Sequence, residues 1–255
     1  MLYVKGYGTA GNNQPVTPQT RFFIGSVSKS FTALAVVQLV EAGKIELDAP
    51  VQDYLPEFTL ADPEAASQIT VRHLLNQISG ISELGFADMN LPQPETIKER
   101  VTSLHIARPV AKPGAKYHYF SPNYGTLAWL VEVVSGQPFS EYLNEHVSSP
   151  LEMSDSLSVV TSTEGMQEAD HLAQGHLVAF GMSFSYPDAR DYLGGRGGVI
   201  TTAEDMAHYL ICQNNAGRYQ NKQLVMPDSI ALMHTPPTNS MSNYAMGWLE
   251  NLVSK

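Results

Sequence analysis

The sequence has little cysteine, few basic residues and no long apolar run, and each shortage excludes a class of protein. A single cysteine, Cys212, excludes an internal disulfide and a cysteine-rich metal site, and we expect it to pack in a helix. With 25 acidic against 15 basic residues the net charge is −10, so nucleic acid is not an expected partner. No run of about eighteen apolar residues occurs, which predicts no membrane span in this chain.

The histidines and the glycine-rich stretch lack the spacings that bind metals or phosphates. None of the eight histidines forms a His-x-x-x-His pair, so we expect no metal site. The stretch Gly194-Gly195-Arg196-Gly197-Gly198 contains no phosphate-loop lysine and follows no apolar strand. We interpret these glycines as backbone that permits close packing.

The length and composition are those of a globular protein. Its 255 residues, of which 43% are hydrophobic, can bury a sizeable core. The sequence contains no internal repeat and no linker long enough to separate two independent domains. We therefore predict a single domain over residues 1–255, either as one body or as two lobes that share a cleft.

A long apolar helix is predicted directly after Ser26. Residues 27–42 contain no Pro or Gly, and Gly43 supplies a stop. Apolar side chains surround most of this helix, which predicts burial on nearly all sides. Ser26 then lies in the first turn, among backbone N–H groups without partners and at the positive end of the helix dipole.

The spacing of Ser26 and Lys29 predicts a nucleophile and its proton partner. Residues three apart lie one turn from each other on the same helix face. A lysine in a largely dry site loses its charge more readily, so Lys29 could accept the Ser26 proton or hold a group that does. The alternative from the same residues is that Ser26 is an N-cap and Lys29 is solvated.

A second candidate group is Tyr119, which precedes a predicted helix that begins near Pro122. The helix dipole and a nearby lysine would lower the pKa of this tyrosine and make it a competent base. The alternative is a half-buried aromatic residue whose hydroxyl is satisfied, with Ser121 as a simple N-cap. The residues alone leave both interpretations open.

The remaining predicted elements are mainly helices. We expect strands over residues 1–8 and 244–249, a turn-rich segment near residue 90, and no confident assignment over residues 157–194. The helices are predicted over residues 71–77 with Thr70 as cap, 95–104, 123–134 closed by Gly136, 138–147, a helix through 213 with a capping box from Thr201 to Glu204, and 227–233.

Together these motifs resemble the serine β-lactamase-related family of class C β-lactamases, penicillin-binding DD-peptidases and family VIII esterases. Ser26-Val27-Ser28-Lys29 is similar to the family's Ser-x-x-Lys motif. Further segments similar to the family's text are found in the same order, at residues 17–22, 41–45, 54–58, 74–80, 150–153 and 202–206. The resemblance covers nearly the whole chain.

The resemblance implies an α+β fold, in which helices back an antiparallel sheet and a mostly helical lobe over residues 60–195 forms one side of the site. It implies a covalent mechanism in which a serine attacks an ester, amide or β-lactam carbonyl of a small-molecule or peptidoglycan-like substrate. Ser26 is then the nucleophile, Lys29 its proton partner and Tyr119 the tyrosine of the Tyr-x-Asn motif. No metal or other cofactor is implied, and which of Lys29 and Tyr119 is the base stays open.

The sequence departs from the family pattern at three places. Ser121 stands at the third position of the Tyr-x-Asn motif, and its hydroxyl replaces only part of an amide's hydrogen bonding, so we assign it to substrate binding with a weakened contact. Gln77 replaces a frequent histidine, a change we interpret as structural. The third motif, Lys-Thr-Gly or His-x-Gly, does not follow residues 244–249, and Lys112-Pro113-Gly114 belongs to another loop.

The missing motif predicts impaired activity, since its strand supplies one of two backbone donors to the oxyanion. Three explanations stay open: a truncated piece, a chain completed by another copy or partner, and a catalytically silent binding or regulatory domain. An abrupt start at Met1 and missing strands after Leu249 also predict an incomplete sheet whose unpaired edges favour self-association. The sequence assigns no compartment, although the resemblance suggests the cell envelope or secretion.

Overall fold

Helices make up most of the regular structure. The computed structural model describes residues 3–11, 13–83, 95–185, 194–238 and 242–250. In these ranges the α-helices, numbered α1 to α10, are Ser28–Glu41, Pro63–Ser67, Val71–Leu75, Ile97–Thr102, Pro122–Ser135, Phe139–Leu143, Ser162–Glu168, Gly194–Gly197, Ala203–Asn214 and Pro227–His234. The strands, numbered β1 to β7, are Phe22–Phe23, Leu157–Ser158, His176–Ala179, Met182–Ser185, Val199–Thr201, Arg218–Tyr219 and Lys222–Gln223.

Helix α1 lies in the centre of the core. Every residue from Ser28 to Val37 is buried, which confirms the prediction of burial on nearly all sides. The helix packs against α5 and α8, and its apolar residues join one large hydrophobic cluster. Because a fully buried Val, Leu or Phe contributes roughly 1.5–3 kcal/mol, this packing holds α1 rigidly.

Helix α5 has the ends that the sequence predicts. Pro122 occupies the first turn, where its missing N–H costs nothing, and Gly136 ends the helix in the left-handed conformation at φ 76°. The helix is buried from Pro122 to Val131 and packs against α1, α3, α4 and α8. Its N-terminus thereby brings the preceding Tyr119 segment to the start of α1.

The main sheet is small and antiparallel. Strand β5 lies between β1 and β2, with Phe22 opposite Thr201 and Leu157 opposite Ile200. Strand β5 is buried along its length, and Ile200 joins a second apolar cluster with Val159 and Ala169. The other strands form two hairpins, β3–β4 and β6–β7. Helices and antiparallel strands together confirm the predicted α+β fold.

Side-chain caps mark the helix starts. Thr70 and Thr96 each accept a hydrogen bond from the third backbone N–H of the helix that follows. The predicted capping box from Thr201 to Glu204 is wrong by one residue. Thr202 is the N-cap and accepts from Asp205 N, because Thr201 still belongs to β5. Cys212 is buried in α9, as predicted.

Both predicted terminal strands are wrong in the described residues. Residues 3–8 form no strand, and pairing nearby is limited to a bridge between Thr9 and Pro15. Residues 244–249 form a tight turn, in which Ala245 N donates to Trp248 O at 2.8 Å and Gly247 has φ 83°. A turn at Gly247 bends the chain back on itself, so the alternating apolar pattern does not extend into a strand.

Two predicted segments lie wholly or partly outside the described residues. The turn-rich segment near residue 90 lies outside the described residues, as do residues 186–193. The unassigned stretch from residue 157 contains β2, α7 and the β3–β4 hairpin. The single domain over residues 1–255 with a helical lobe over residues 60–195 stays a prediction.

Candidate active site

Ser26 lies at a sharp turn between the sheet and helix α1. After β1, Ile24 N donates to Val199 O of β5 at 3.1 Å, which anchors the chain to the sheet. Gly25 then adopts φ 52°, a left-handed conformation that favours glycine, and a 3-10 turn over Gly25–Val27 leads into α1. The turn leaves Ser26 exposed at the point where the buried helix begins.

The Lys29 side chain is buried and reaches back to Ser26. Only 1% of the residue is exposed, and its Nζ donates to Ser26 Oγ at 3.0 Å. The same ammonium donates to the carbonyl oxygen of Arg196 in α8, also at 3.0 Å. The structure therefore brings this pair together as the sequence predicts, with Lys29 in a dry site.

The surroundings of Lys29 make its charged form less stable than it is in water. Burial lowers the pKa of Lys29 below its usual value, and the charge of Arg196 acts in the same direction. The hydrogen bond and charge of Tyr119 and the carboxylate of Glu83 raise the pKa without cancelling the effect of burial. A lysine in this state can accept or relay a proton more readily than an exposed one.

Tyr119 contacts both Ser26 and Lys29. Its hydroxyl donates to Ser26 Oγ at 2.8 Å, and Lys29 Nζ lies 4.9 Å from the centre of its ring. Burial alone would raise the pKa of Tyr119, but the hydrogen bonds with Lys29 and Ser26 and the charge of Lys29 lower it overall. This is the direction that the sequence predicts, and the lysine that contributes is Lys29.

Ser121 and Asn123 lie in different surroundings just after Tyr119. Ser121 is the N-cap of α5 but makes no capping hydrogen bond with its side chain; its hydroxyl instead contributes to lowering the pKa of Tyr119. Asn123 is buried and faces Gln77 and Ser79, not Ser26. The substrate-binding assignment of Ser121 stays a prediction.

The carbonyl of Arg196 is a site feature that motif reading misses. A backbone carbonyl has no residue signature, so its contact with Lys29 is visible only in the fold. The indirect signal is the glycine-rich stretch: a Cβ on Gly195 would lie 2.5 Å from Ala128 Cβ and 2.6 Å from Tyr124 O. Thr32 Oγ1 of α1 also donates to Gly195 O at 2.7 Å. Helix α8 can therefore approach α5 this closely only because Gly195 has no side chain.

Comparison with known proteins decides the family. A family model described as Beta-lactamase matches residues 1–251. The chain belongs to the beta-lactamase family. Proteins with this fold are serine hydrolases and acyltransferases, and the predicted resemblance is confirmed.

The named relatives of this beta-lactamase-family chain include penicillin-binding proteins. Protein flp of Staphylococcus aureus (strain MW2) is 27% identical over 252 residues, which cover 97% of this chain and 49% of flp. Penicillin-binding protein 4 of Amycolatopsis lactamdurans is 28% identical over 247 residues, which cover 94% of this chain and 61% of that protein. The chain thus spans about half the length of flp.

A solved structure shows the same fold over nearly all of this chain. The octameric penicillin-binding protein homologue from Pyrococcus abyssi matches with a TM-score of 0.78 and 27% sequence identity. The match covers 96% of this beta-lactamase-family chain and 57% of the other.

The described residues contain neither a candidate metal cluster nor a helix that could span a membrane. Within the described ranges, no group of three or more His, Cys, Asp or Glu side chains is arranged to hold a metal ion. No helix in those ranges has the length and apolar character needed to cross a bilayer.

Proposed function

We propose that this chain is a serine hydrolase that forms an acyl-enzyme on Ser26. The observation that carries the proposal is the meeting of two proton-handling groups at one oxygen: Lys29 Nζ at 3.0 Å and the Tyr119 hydroxyl at 2.8 Å from Ser26 Oγ. A serine hydroxyl is a weak nucleophile unless a neighbouring base accepts its proton. Both candidate bases have a pKa below the usual value of the side chain.

The acylation step follows from this geometry. Ser26 Oγ attacks the substrate carbonyl carbon, its proton passes to Tyr119 or Lys29, and the carbonyl electrons move to the oxygen. The tetrahedral intermediate then collapses, the bond to the leaving group breaks, and the leaving group takes up the transferred proton. Water or another acceptor next attacks the acyl-enzyme and restores the Ser26 hydroxyl with its proton.

Lys29 and Tyr119 act as a coupled pair in this proposal. When Tyr119 is ionised, its oxygen accepts the Ser26 proton instead of donating one, and the Lys29 ammonium stabilises the phenolate. When Lys29 is neutral, its amine accepts the proton and Tyr119 relays it to the leaving group. The apparent pKa values therefore belong to the pair, and either residue can be the base in a given protonation state.

The substrate class is an ester, amide or β-lactam carbonyl on a small or peptidoglycan-like molecule. Membership of the beta-lactamase family and the penicillin-binding relatives support this class.

A second candidate is a catalytically silent binding or regulatory domain that retains the cleft. The observation that favours it is Ser121 in place of the motif's asparagine. A serine hydroxyl reaches less far than an asparagine amide and replaces only part of its hydrogen bonding. In that case the cleft would hold an acyl ligand without covalent reaction.

Labelling with a fluorescent penicillin and with a fluorophosphonate separates the two candidates. We expect the wild-type chain to become covalently labelled and Ser26→Ala to remain unlabelled. Ser30→Ala is the matched control, since Ser30 lies one turn further along α1 and its hydroxyl donates to Val27 O. An unlabelled wild-type chain that still binds penicillin reversibly would favour the silent domain.

A further inference from the structure

Gln77 contacts the residues on both sides of Tyr119. Its backbone carbonyl accepts a hydrogen bond from His118 N at 2.9 Å, and its side-chain Oε1 accepts one from Phe120 N at 3.1 Å. One residue therefore fixes the backbone immediately before and immediately after the tyrosine. Contacts of this kind limit how far the Tyr119 hydroxyl can move relative to Ser26.

Gln77 itself is firmly held. The residue is fully buried, and its Oε1 also accepts from Asn123 Nδ2 of α5 at 2.7 Å. Asn123 Oδ1 in turn accepts from the Ser79 hydroxyl at 3.0 Å. A chain of buried hydrogen bonds thus ties the Tyr119 segment to helix α5, which packs against α1 and its Lys29.

The backbone of Gln77 lies in an unfavourable conformation. Its φ is 58°, in the left-handed region where a non-glycine residue costs of order 1–3 kcal/mol. In this conformation the carbonyl and the side-chain oxygen of Gln77 both accept hydrogen bonds from the Tyr119 segment. Strain of this size persists where surrounding contacts fix it, which is typical of functional sites.

We propose that Gln77 is a positioning residue for Tyr119, whose flanking residues it holds so that the tyrosine hydroxyl stays within hydrogen-bond distance of Ser26. The inference rests on the proposed function, because positioning matters only if Tyr119 handles the Ser26 proton. The hydrogen bonds of Gln77 go to His118, Phe120 and Asn123. Gln77 therefore acts on Ser26 indirectly, through the position of Tyr119.

The predicted consequence of loosening Gln77 is a change in the pH dependence of Ser26 acylation. Titratable or charged groups that face Tyr119 or its partner Lys29 are Tyr117, Tyr124, Tyr244, Glu83 and Arg196. Burial raises the pKa of Tyr244 and a side-chain contact with Gln77 lowers it, so a substitution at Gln77 also affects Tyr244, and the titration of Tyr119 must be isolated by difference. If Tyr119 moves away from Lys29 and Ser26, the contacts that lower its pKa are lost, so its pKa rises.

The test compares two substitutions at Gln77 with a matched control. Gln77→Met removes both side-chain hydrogen bonds at similar volume, and Gln77→Asn keeps an amide and a residue that tolerates positive φ but shortens its reach. Gln38→Met makes the same chemical change at another glutamine, whose Nε2 donates to His146 O far along α1. Gln77→Asn carries the test should Gln77→Met fold poorly.

Two readouts are measured for each variant across pH. The first is the rate of fluorophosphonate labelling per folded molecule, which we expect to fall roughly 10- to 100-fold in both Gln77 variants at neutral pH. The second is the ionisation of Tyr119 by tyrosinate absorbance, taken as the difference from the same protein with Tyr119→Phe. We expect both midpoints to move to higher pH in the Gln77 variants and to stay in place in Gln38→Met.

The two hypotheses fail in different ways. An unchanged Tyr119 titration and an unchanged labelling midpoint in the Gln77 variants would overturn the positioning role, even if those variants melt earlier. A wild-type chain that is never labelled would instead contradict the proposed function, and the absorbance titration would still decide whether Gln77 positions Tyr119.

Discussion

Ser26 Oγ receives one contact from its own helix and one from a segment 93 residues away. The first contact follows from local spacing, since residues three apart on a helix are neighbours. The second depends on how α5 packs against α1, and the carbonyl of Arg196 completes the surroundings of Lys29 from a third element. At the scale of the residue, the site is therefore partly local and partly a product of the fold.

Removing the Tyr119 hydroxyl tests its role in proton transfer. We expect Tyr119→Phe to lower the rate of Ser26 labelling by about 10²–10⁴, the usual contribution of a positioned acid or base. In the wild type the rate should rise with pH and level off below pH ~10, because the pKa of Tyr119 lies below that of a free tyrosine. Tyr117→Phe is the control, and an equal loss in both variants would count against the assignment.

Replacing Lys29 tests the cost of burying its charge. The pKa of Lys29 is lower in the folded than in the unfolded chain, so between those two values the unfolded chain binds more protons and stability rises with pH. We expect Lys29→Met to abolish labelling yet to exceed the wild type in free energy of unfolding at neutral pH, because the variant no longer buries a charge. This advantage should shrink as the pH approaches ~10 in denaturant titrations; an advantage that grows with pH would contradict it.

Elements with local signals could be predicted from the sequence, and those that depend on distant partners could not. Threonine caps, Pro122 at a first turn and Gly136 at an end are short-range features, and the helices that carry them lie where expected. Strands β1, β2 and β5 have only two or three residues each. Such short strands show no recognisable alternation of apolar and polar residues in the sequence. The residues that flank Tyr119 contact Gln77 through tertiary hydrogen bonds, and no sequence motif predicts these contacts.

The glycines of α8 offer a test at the scale of the element. A Cβ on Gly195 would clash with Ala128 and Tyr124, so we expect Gly195→Ala to lower the free energy of unfolding by about 1–3 kcal/mol. It should also slow labelling, because a displaced α8 withdraws the Arg196 carbonyl from Lys29.

Gly197→Ala is the matched control for this experiment. Its added Cβ would meet Gly25 atoms at 3.7 Å, an ordinary contact, and the change in stability should stay within about 0.5 kcal/mol. Equal melting behaviour of the two variants in calorimetry would show that α8 does not need its close approach to α5.

At the scale of the whole molecule, the family and the α+β fold are those that the sequence predicts. The main sheet is small. In the part of the chain that the structure describes, β1 and β2 are the outer strands of a three-stranded sheet. A bridge between Arg21 and Leu172 covers the edge beside β1 at one residue, and the edges that remain open can pair with another chain. The net charge of −10 opposes association, and salt screens that repulsion.

We therefore expect concentration-dependent self-association that strengthens with salt. Light scattering should give a mass of 27.9 kDa in dilute, low-salt solution and a larger mass at high protein and salt concentration. Phe22→Lys places a charge on edge strand β1 and should reduce the association, whereas Val133→Lys, on an exposed face of α5, should not. A constant mass of one chain under all conditions would refute this expectation.

The most direct test of the account is the position of the covalent bond. After reaction with a fluorophosphonate, trypsin releases residues 22–29 as one peptide, which contains both Ser26 and Ser28. Fragment-ion mass spectrometry of this peptide assigns the adduct to one of the two serines. We predict a single adduct on Ser26, lost in Ser26→Ala; an adduct on Ser28 or elsewhere, or none in the wild type, would contradict the central claim.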